Sequence, residues 1–80
     1  MMKTHEAFQL ILNEYERARE LYPHWPKDLI HQTAIMAEES GEAVKAALDH
    51  VYHGGDIEDV RTELIHTAAT CVRCLVNMKG

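Results

Sequence analysis

The chain has 80 residues, enough for one domain, and a domain this small buries only about 60% of the surface of its unfolded chain. Its 13 acidic and 8 basic residues give a formal net charge of -5 without any cluster of lysine and arginine, which argues against a nucleic-acid polymer as a partner. No apolar run approaches the roughly 18 residues of a membrane-spanning helix, and the first residues lack the apolar segment of a secretory signal, so we expect a cytoplasmic protein without a membrane partner.

The first predicted helix runs from about residue 4 to residue 21. Its apolar residues recur with the 3.6-residue period of an amphipathic helix. They are Phe8, Ile11, Leu12, Tyr15, Ala18 and Tyr22. Pro23 and Pro26 then favour an extended segment, because proline lacks a backbone N–H and restricts the residue before it.

The second predicted helix begins after Asp28, a good N-cap residue, and ends near residue 53, before Gly54 and Gly55. One stripe of this helix alternates spacings of four and three residues, as in a coiled coil. Its members are Ile30, Ala34, Ala37, Gly41, Val44, Leu48 and Val51. The small residues in this stripe predict that another helix packs closely against it, beside the glutamates of the same segment.

The third predicted helix starts after Asp56 and reaches about residue 77. From Leu64 onward it is apolar over most of its circumference, apart from one polar stripe. The stripe consists of Glu63, His66, Thr70, Arg73 and Asn77. Because so apolar a helix needs cover on several sides, we predict an all-α antiparallel bundle of three helices, a single domain over residues 1–80, completed by oligomerisation as at least a homodimer.

Cys71 and Cys74 lie three residues apart within the third predicted helix. A disulfide framework needs more cysteines at wider spacing, a zinc site needs further ligands, and a redox CxxC pair normally follows a strand. We therefore expect both cysteines to be buried, reduced small residues, which agrees with a cytoplasmic location.

Two short segments carry the ionisable residues of most interest. Glu39 and Glu42 lie three residues apart in the second helix, as do Glu63 and His66 in the third. Residues at this spacing share one face of a helix, and the short glycine turn makes the two helices antiparallel neighbours. Carboxylates facing one another repel unless a divalent cation lies between them. We therefore predict these four residues as ligands of Mg²⁺ or Mn²⁺, cations that prefer oxygen donors.

A cation held there would polarise a phosphoryl group and lower the pKa of an attacking water. Glu39 is therefore a candidate catalytic residue as well as a ligand, and Glu38 is a candidate general base or a partner of the ligands. The alternative stays open that both segments face solvent. Acidic helix faces are common without a metal, and the polar stripe of the third helix can equally be its solvent side.

The same residues resemble the MazG-like, all-α NTP pyrophosphohydrolase superfamily. The motif of that superfamily is EExxE in one helix and ExxD in the next, after one to two dozen residues. The two halves correspond here to EESGE at residues 38–42 and ELIH at residues 63–66. The flanking HWP, GEAVKA and ELIHTAA segments are also similar, and the resemblance extends over about residues 25–75.

This resemblance implies hydrolysis of a ribo- or deoxyribonucleoside triphosphate between its α and β phosphates, giving a monophosphate and pyrophosphate, as in nucleotide-pool house-cleaning. It implies Glu39, Glu42 and Glu63 as metal ligands and an assembly of two or four chains. The fourth position of the motif, an aspartate in the superfamily, is His66 here. An imidazole at this position shifts the preference from Mg²⁺ toward Mn²⁺.

Three further residues are candidates for substrate binding, each with a structural alternative. Lys45 lies one turn after Glu42 and can meet a phosphate or pair with a neighbouring carboxylate. Arg73 can meet a phosphate or a carboxylate of another subunit. Trp25, the only tryptophan, can stack on a nucleobase or cap the core.

Two other functions compete with the hydrolase. Glu63 and His66 form a Glu-x-x-His pair, the ligand pair of carboxylate-bridged di-metal redox bundles, although such a bundle uses two of these pairs and would need a symmetric dimer. A non-enzymatic alternative is a helical oligomerisation module whose motif has decayed at His66.

Overall fold

The computed structural model describes residues 1–79, which form three helices and no strand. The helices are α1 (Thr4–Leu21), α2 (Leu29–His53) and α3 (Ile57–Asn77). The predicted all-α class and helix bounds are therefore confirmed. α3 packs against both other helices, whereas the backbones of α1 and α2 do not approach each other within these residues. α3 is thus the centre of an open arrangement.

Side chains close in sequence set the ends of α2 and α3. Asp28 accepts hydrogen bonds from two backbone N–H groups in the first turn of α2, both at 3.3 Å. Asp56 accepts one from the first turn of α3 at 2.9 Å. Both carboxylates satisfy N–H groups that have no partner within their helix. Gly54 ends α2 with a φ of 71°, which glycine adopts without steric cost, so that α3 can return directly along α2.

The polar stripe of α3 faces the other helices over most of its length. Glu63, His66 and Thr70 are half-buried, and Arg73 is only 7% exposed. The outer side of α3 is apolar instead, and Leu75 there is 70% exposed. The sequence left open whether this stripe faces solvent or the other helices, and in the structure it faces the other helices. α3 therefore brings ionisable groups between the helices and presents apolar side chains to solvent.

The prediction that both cysteines are buried is wrong for Cys71, which is exposed on α3. Cys74 is half-buried, with its thiol sulfur 3.5 Å from the backbone carbonyl oxygen of Gln32, and burial raises the pKa of this thiol. Both cysteines are free. The apolar residues around Cys71 suggested an interior position, and its neighbour Val72 is indeed half-buried, but Cys71 itself points away from the packed side of α3 within residues 1–79.

The coiled-coil-like stripe of α2 is uncovered in the single chain. All seven members are exposed, Val44 by 61%. α2 packs on α3 through its opposite side, where Gln32 and Ala43 are buried and Glu39 is half-buried. The close packing predicted for the stripe is therefore not provided by any helix within residues 1–79.

The apolar core of the single chain is small. Its buried apolar residues are Tyr15, Ala43 and Ala69, one from each helix. The radius of gyration is 13.6 Å, against about 12 Å for a compact domain of this length. None of the helices in the described residues is long and apolar enough to cross a membrane.

Candidate metal centre

Three of the four predicted metal ligands converge at the contact between α2 and α3. Glu39 of α2 and Glu63 and His66 of α3 each offer one donor atom, and these atoms lie within 4.8 Å of one another. All three side chains are half-buried. The convergence follows from the fold, because Glu63 and His66 are one turn apart and the antiparallel α2 places Glu39 opposite them.

Two carboxylate oxygens in this group lack partners. Oε2 of Glu39 and Oε2 of Glu63 are both buried and accept no hydrogen bond from the residues described. Burial, and next the neighbouring carboxyl of Glu42, raise the pKa of Glu63 above the ordinary glutamate value. Buried acceptors without donors cost free energy, and either a proton or a cation would relieve that cost.

The donor set fits a small oxygen-preferring cation after a modest closure. Mg²⁺ binds at about 2.0–2.1 Å in octahedral geometry, so opposite ligands are about 4.2 Å apart and adjacent ones about 3.0 Å. For donors up to 4.8 Å apart, the separation must therefore shorten by about 0.6 Å in an opposite pair and by up to about 1.8 Å in an adjacent pair, so each donor moves by about 1 Å or less. Two carboxylates and one imidazole suit Mn²⁺ better than a set made of oxygen alone.

Glu42, the fourth predicted ligand, lies at the edge of this group. Its side chain is exposed, yet its carboxyl is near enough to Glu63 to raise the pKa of that residue. Glu42 and Glu63 also line a cleft of about 320 Å³ that contains Lys45 and two aspartates. Glu38 is exposed and lines neither this cleft nor the larger one described next. The structure thus brings Lys45 near the metal group and leaves Glu38 outside it.

A second, larger cleft of about 450 Å³ adjoins the group. Glu39 and His66 line it together with Trp25 and Arg73, the other two residues predicted to bind substrate. The guanidinium carbon of Arg73 lies 4.6 Å from the centre of the Trp25 ring. Residues from all three helices and from the α1–α2 connection therefore share one concave surface beside the metal group.

Arg73 has a structural task in this cleft. It donates hydrogen bonds from Nη1 to the carbonyl oxygen of Ala18, at 3.4 Å, and from Nη2 to that of Tyr22. These carbonyls belong to the last turn and C-cap of α1, the negative end of its dipole. Arg73 therefore ties the end of α1 to α3 and stacks on Trp25, where the sequence predicted contact with a phosphate or with another subunit.

Glu14 of α1 lies beside the metal group, and the sequence analysis did not identify it as a site residue. Its Oε2 lies 3.7 Å from Nε2 of His66, and its side chain is only 16% exposed. Hydrogen bonding to Arg17, outweighing the opposing effect of burial, lowers the pKa of Glu14. The helical period contained a signal for it, because Glu14 falls three residues after Ile11 and four before Ala18, both half-buried residues on the side of α1 that meets α3.

No protein-family model, no curated protein and no solved structure matches this chain.

Proposed function

We propose that the protein is a metal-dependent nucleoside triphosphate pyrophosphohydrolase of the MazG-like type, converting a (d)NTP to the (d)NMP and pyrophosphate in the cytoplasm. The observation that supports this proposal is the convergence of Glu39, Glu63 and His66 beside a cleft lined by Trp25 and Arg73. The cleft volume of about 450 Å³ lies within the range of small-molecule sites.

The residues of the chain have distinct tasks in this reaction. Glu39, Glu63 and His66 would hold Mg²⁺ or Mn²⁺, and Glu42 is close enough to Glu63 to join them after a side-chain rotation. A bound cation polarises a phosphoryl oxygen and lowers the pKa of a water ligand. The carboxylate of Glu39, which lines the larger cleft, can accept a hydrogen bond from the attacking water. Of the two predicted catalytic residues, Glu39 lines the cleft and Glu38 does not.

The substrate would lie with its phosphates at the metal group and its nucleoside in the larger cleft. Trp25 lines that cleft and provides apolar surface for a base. Arg73 already uses its guanidinium to hold α1 and to stack on Trp25, so its share in phosphate binding would be secondary. Lys45 lines the smaller cleft together with Glu63 and is therefore a candidate cation for meeting a phosphate held at the metal group.

The test is a panel of all common NTPs and dNTPs with Mg²⁺ and Mn²⁺ in parallel. We expect at least one nucleotide to give monophosphate and pyrophosphate in equal amounts, faster with Mn²⁺. Glu39→Gln should lower kcat by at least about a hundredfold, the scale for losing a directly acting polar group. The exposed Glu20→Gln on α1 is the matched control and should leave the rate unchanged. Failure of every nucleotide with both metals would refute the proposal.

One observation favours a second candidate, the di-metal redox centre. Such centres combine a glutamate from each of two helices with Glu-x-x-His pairs from two others. Glu14, Glu39 and the Glu63–His66 pair supply three of these four parts, and a second copy of the chain would have to supply the fourth. Aerobic loading with Fe²⁺ separates the candidates, because only the redox centre develops the absorbance of an oxo-bridged iron pair.

We further propose that the chain functions as a homodimer, or as a tetramer built from two such dimers. The single chain exposes 6071 Å², about 1,200 Å² more than a typical monomer of 9.1 kDa. Two chains that bury this excess would share an interface of about 2,400 Å² in total, within the range of permanent homodimers. The α2 stripe from Ile30 to Val51 is exposed along most of α2, and its small residues Ala34, Ala37 and Gly41 permit close approach of a second helix.

Two substitutions in the stripe test this assembly. We expect Val44→Glu to reduce the molar mass in sedimentation equilibrium toward that of one chain, while Gln9→Glu on the polar side of α1 leaves it unchanged. Gly41→Ala should change the free energy of unfolding in opposite directions for a monomer and for a dimer. A Cβ at Gly41 meets nothing within 4 Å in the single chain, so alanine should stabilise a monomer by about 0.5–1 kcal/mol. In a dimer that packs at Gly41, the same Cβ should weaken the interface. A wild type of one-chain mass at micromolar concentration would contradict the proposal.

A further inference from the structure

The imidazole of His66 lies between two carboxylates that belong to different helices. Its Nδ1 is 3.9 Å from Oε2 of Glu63, on α3, and its Nε2 is 3.7 Å from Oε2 of Glu14, on α1. Glu63 belongs to the group of donors that can share a cation, and Glu14 stands outside that group. The two nitrogens of the ring therefore face different environments, one toward the metal group and one away from it.

Glu14 is held in place by its own helix. Arg17 donates to both of its carboxylate oxygens, from Nε at 2.8 Å and from Nη2 at 2.9 Å. A paired arginine of this kind fixes the plane of the carboxylate and keeps it ionised, in agreement with its lowered pKa. Glu16 and Arg19 form a similar pair at the same spacing on α1, but both are exposed and neither lines the cleft.

We propose that Glu14 is a positioning residue of the metal centre: it accepts a hydrogen bond from Nε2–H of His66 and so directs the Nδ1 lone pair toward the cation held by Glu39 and Glu63. This inference depends on the proposed metal-dependent function. Histidine ligands of metals commonly donate their second ring N–H to a carboxylate, which fixes the tautomer and makes the ligand nitrogen more basic. Here that carboxylate comes from α1, a helix outside the two-part motif.

The geometry requires only a small adjustment. A distance of 3.7 Å is longer than a hydrogen bond, and closure to about 2.9 Å needs a movement of less than about 1 Å. The donor atoms of the metal group must close by a similar amount around a cation. A small rotation of the His66 ring during this closure would keep Nδ1 toward the metal group and Nε2 toward Glu14. The chain Arg17–Glu14–His66 then connects the surface of α1 to the metal.

The test measures Mn²⁺ affinity by the loss of the free-ion electron paramagnetic resonance signal. We expect Glu14→Ala to weaken Mn²⁺ binding by about 10–100-fold, the usual cost of losing such a partner. Glu14→Gln should recover most of the affinity, because its amide oxygen still accepts from Nε2–H. Glu16→Gln, the exposed counterpart, should bind Mn²⁺ like the wild type. Circular dichroism of each variant verifies that α1 remains helical.

A double-substitution cycle distinguishes positioning from a general effect on the fold. If Glu14 acts through His66, Glu14→Ala should change the Mn²⁺ affinity little once His66→Ala is present. Equal losses in both backgrounds, or wild-type affinity in Glu14→Ala, would overturn this inference alone, provided that Glu39→Gln still abolishes binding. A wild type that does not bind Mn²⁺ would overturn both this inference and the proposed function.

Discussion

Replacing Glu63 with glutamine is expected to leave the metal-free protein as stable as the wild type or more stable, and to remove most of its stabilisation by Mn²⁺. The first effect follows from burial and from the nearby Glu42, which raise the pKa of Glu63 and disfavour its ionised form. The second follows from the loss of one of three converging donors. Glutamine keeps the shape of the side chain and removes only the charge.

The size of the second effect is set by mass action. A cation at 100 times its Kd stabilises the folded protein by about 2.7 kcal/mol. For a domain of this size, that corresponds to an increase in Tm of roughly 10–20 °C. Thermal unfolding followed by circular dichroism, in EDTA and in Mn²⁺, should therefore show a large metal response in the wild type and a small one in Glu63→Gln. Removal of the metal with EDTA should reverse the wild-type response.

The metal-free comparison should also depend on pH, with a defined sign. Because the pKa of Glu63 is raised by folding, its contribution to stability is present below the ordinary glutamate pKa and is lost as the pH rises through the raised value. Glutamine cannot ionise, so the Glu63→Gln variant does not lose this stability as the pH rises. The difference in Tm between Glu63→Gln and the wild type, measured in EDTA, should therefore be small in acid and should grow toward neutral pH in favour of the variant.

Glu58→Gln is the control for these measurements. Glu58 is an exposed residue of the same helix, ion-paired with Arg61 and away from the metal group. It should keep the full Mn²⁺ response. An equal metal response in Glu63→Gln and in the wild type would show that Glu63 does not bind the cation.

Replacing Arg73 with alanine should destabilise the protein by about 3–4 kcal/mol. Arg73 is 7% exposed, and its guanidinium donates to two carbonyls at the end of α1 and lies over the ring of Trp25. A desolvated cation–π contact contributes about 2 kcal/mol, and a hydrogen bond to a charged group about 1.5–3 kcal/mol. Part of this total is offset by the cost of burying the charge. Since an 80-residue domain has a total stability of about 4–12 kcal/mol, the substitution would remove about a quarter of that stability or more.

Urea unfolding measures this loss, and two other variants make the result specific. Arg73→Lys keeps the charge but cannot contact both carbonyls and the ring with one planar group, so an intermediate loss is expected. Arg61→Ala removes an exposed arginine from the same helix and should change stability by less than about 0.5 kcal/mol. Amide exchange at the end of α1 should increase in Arg73→Ala. A loss below about 1 kcal/mol would contradict the structural task assigned to Arg73.

Glu39 and Glu42 show what the spacing of the motif can predict and what it cannot. Their separation of three residues places both side chains on the same face of α2. The structure half-buries Glu39 against α3 and leaves Glu42 exposed at the edge of the group. A helical period gives the angle between two side chains around their own axis. It does not say how that axis is rotated against a neighbouring helix, and that rotation decides which carboxylate enters the contact.

The sequence by itself determined the three helices and their ends, because caps such as Asp28 and Asp56, the glycine turn and the prolines act on neighbouring backbone groups. It also indicated which side chains share a helix face. Only the tertiary structure decided that the polar stripe of α3 faces inward and that Glu14 reaches His66. The apolar and polar sides of α3 carry comparable periodic patterns, and the choice between them depends on packing against α1 and α2, whose residues lie far away along the chain.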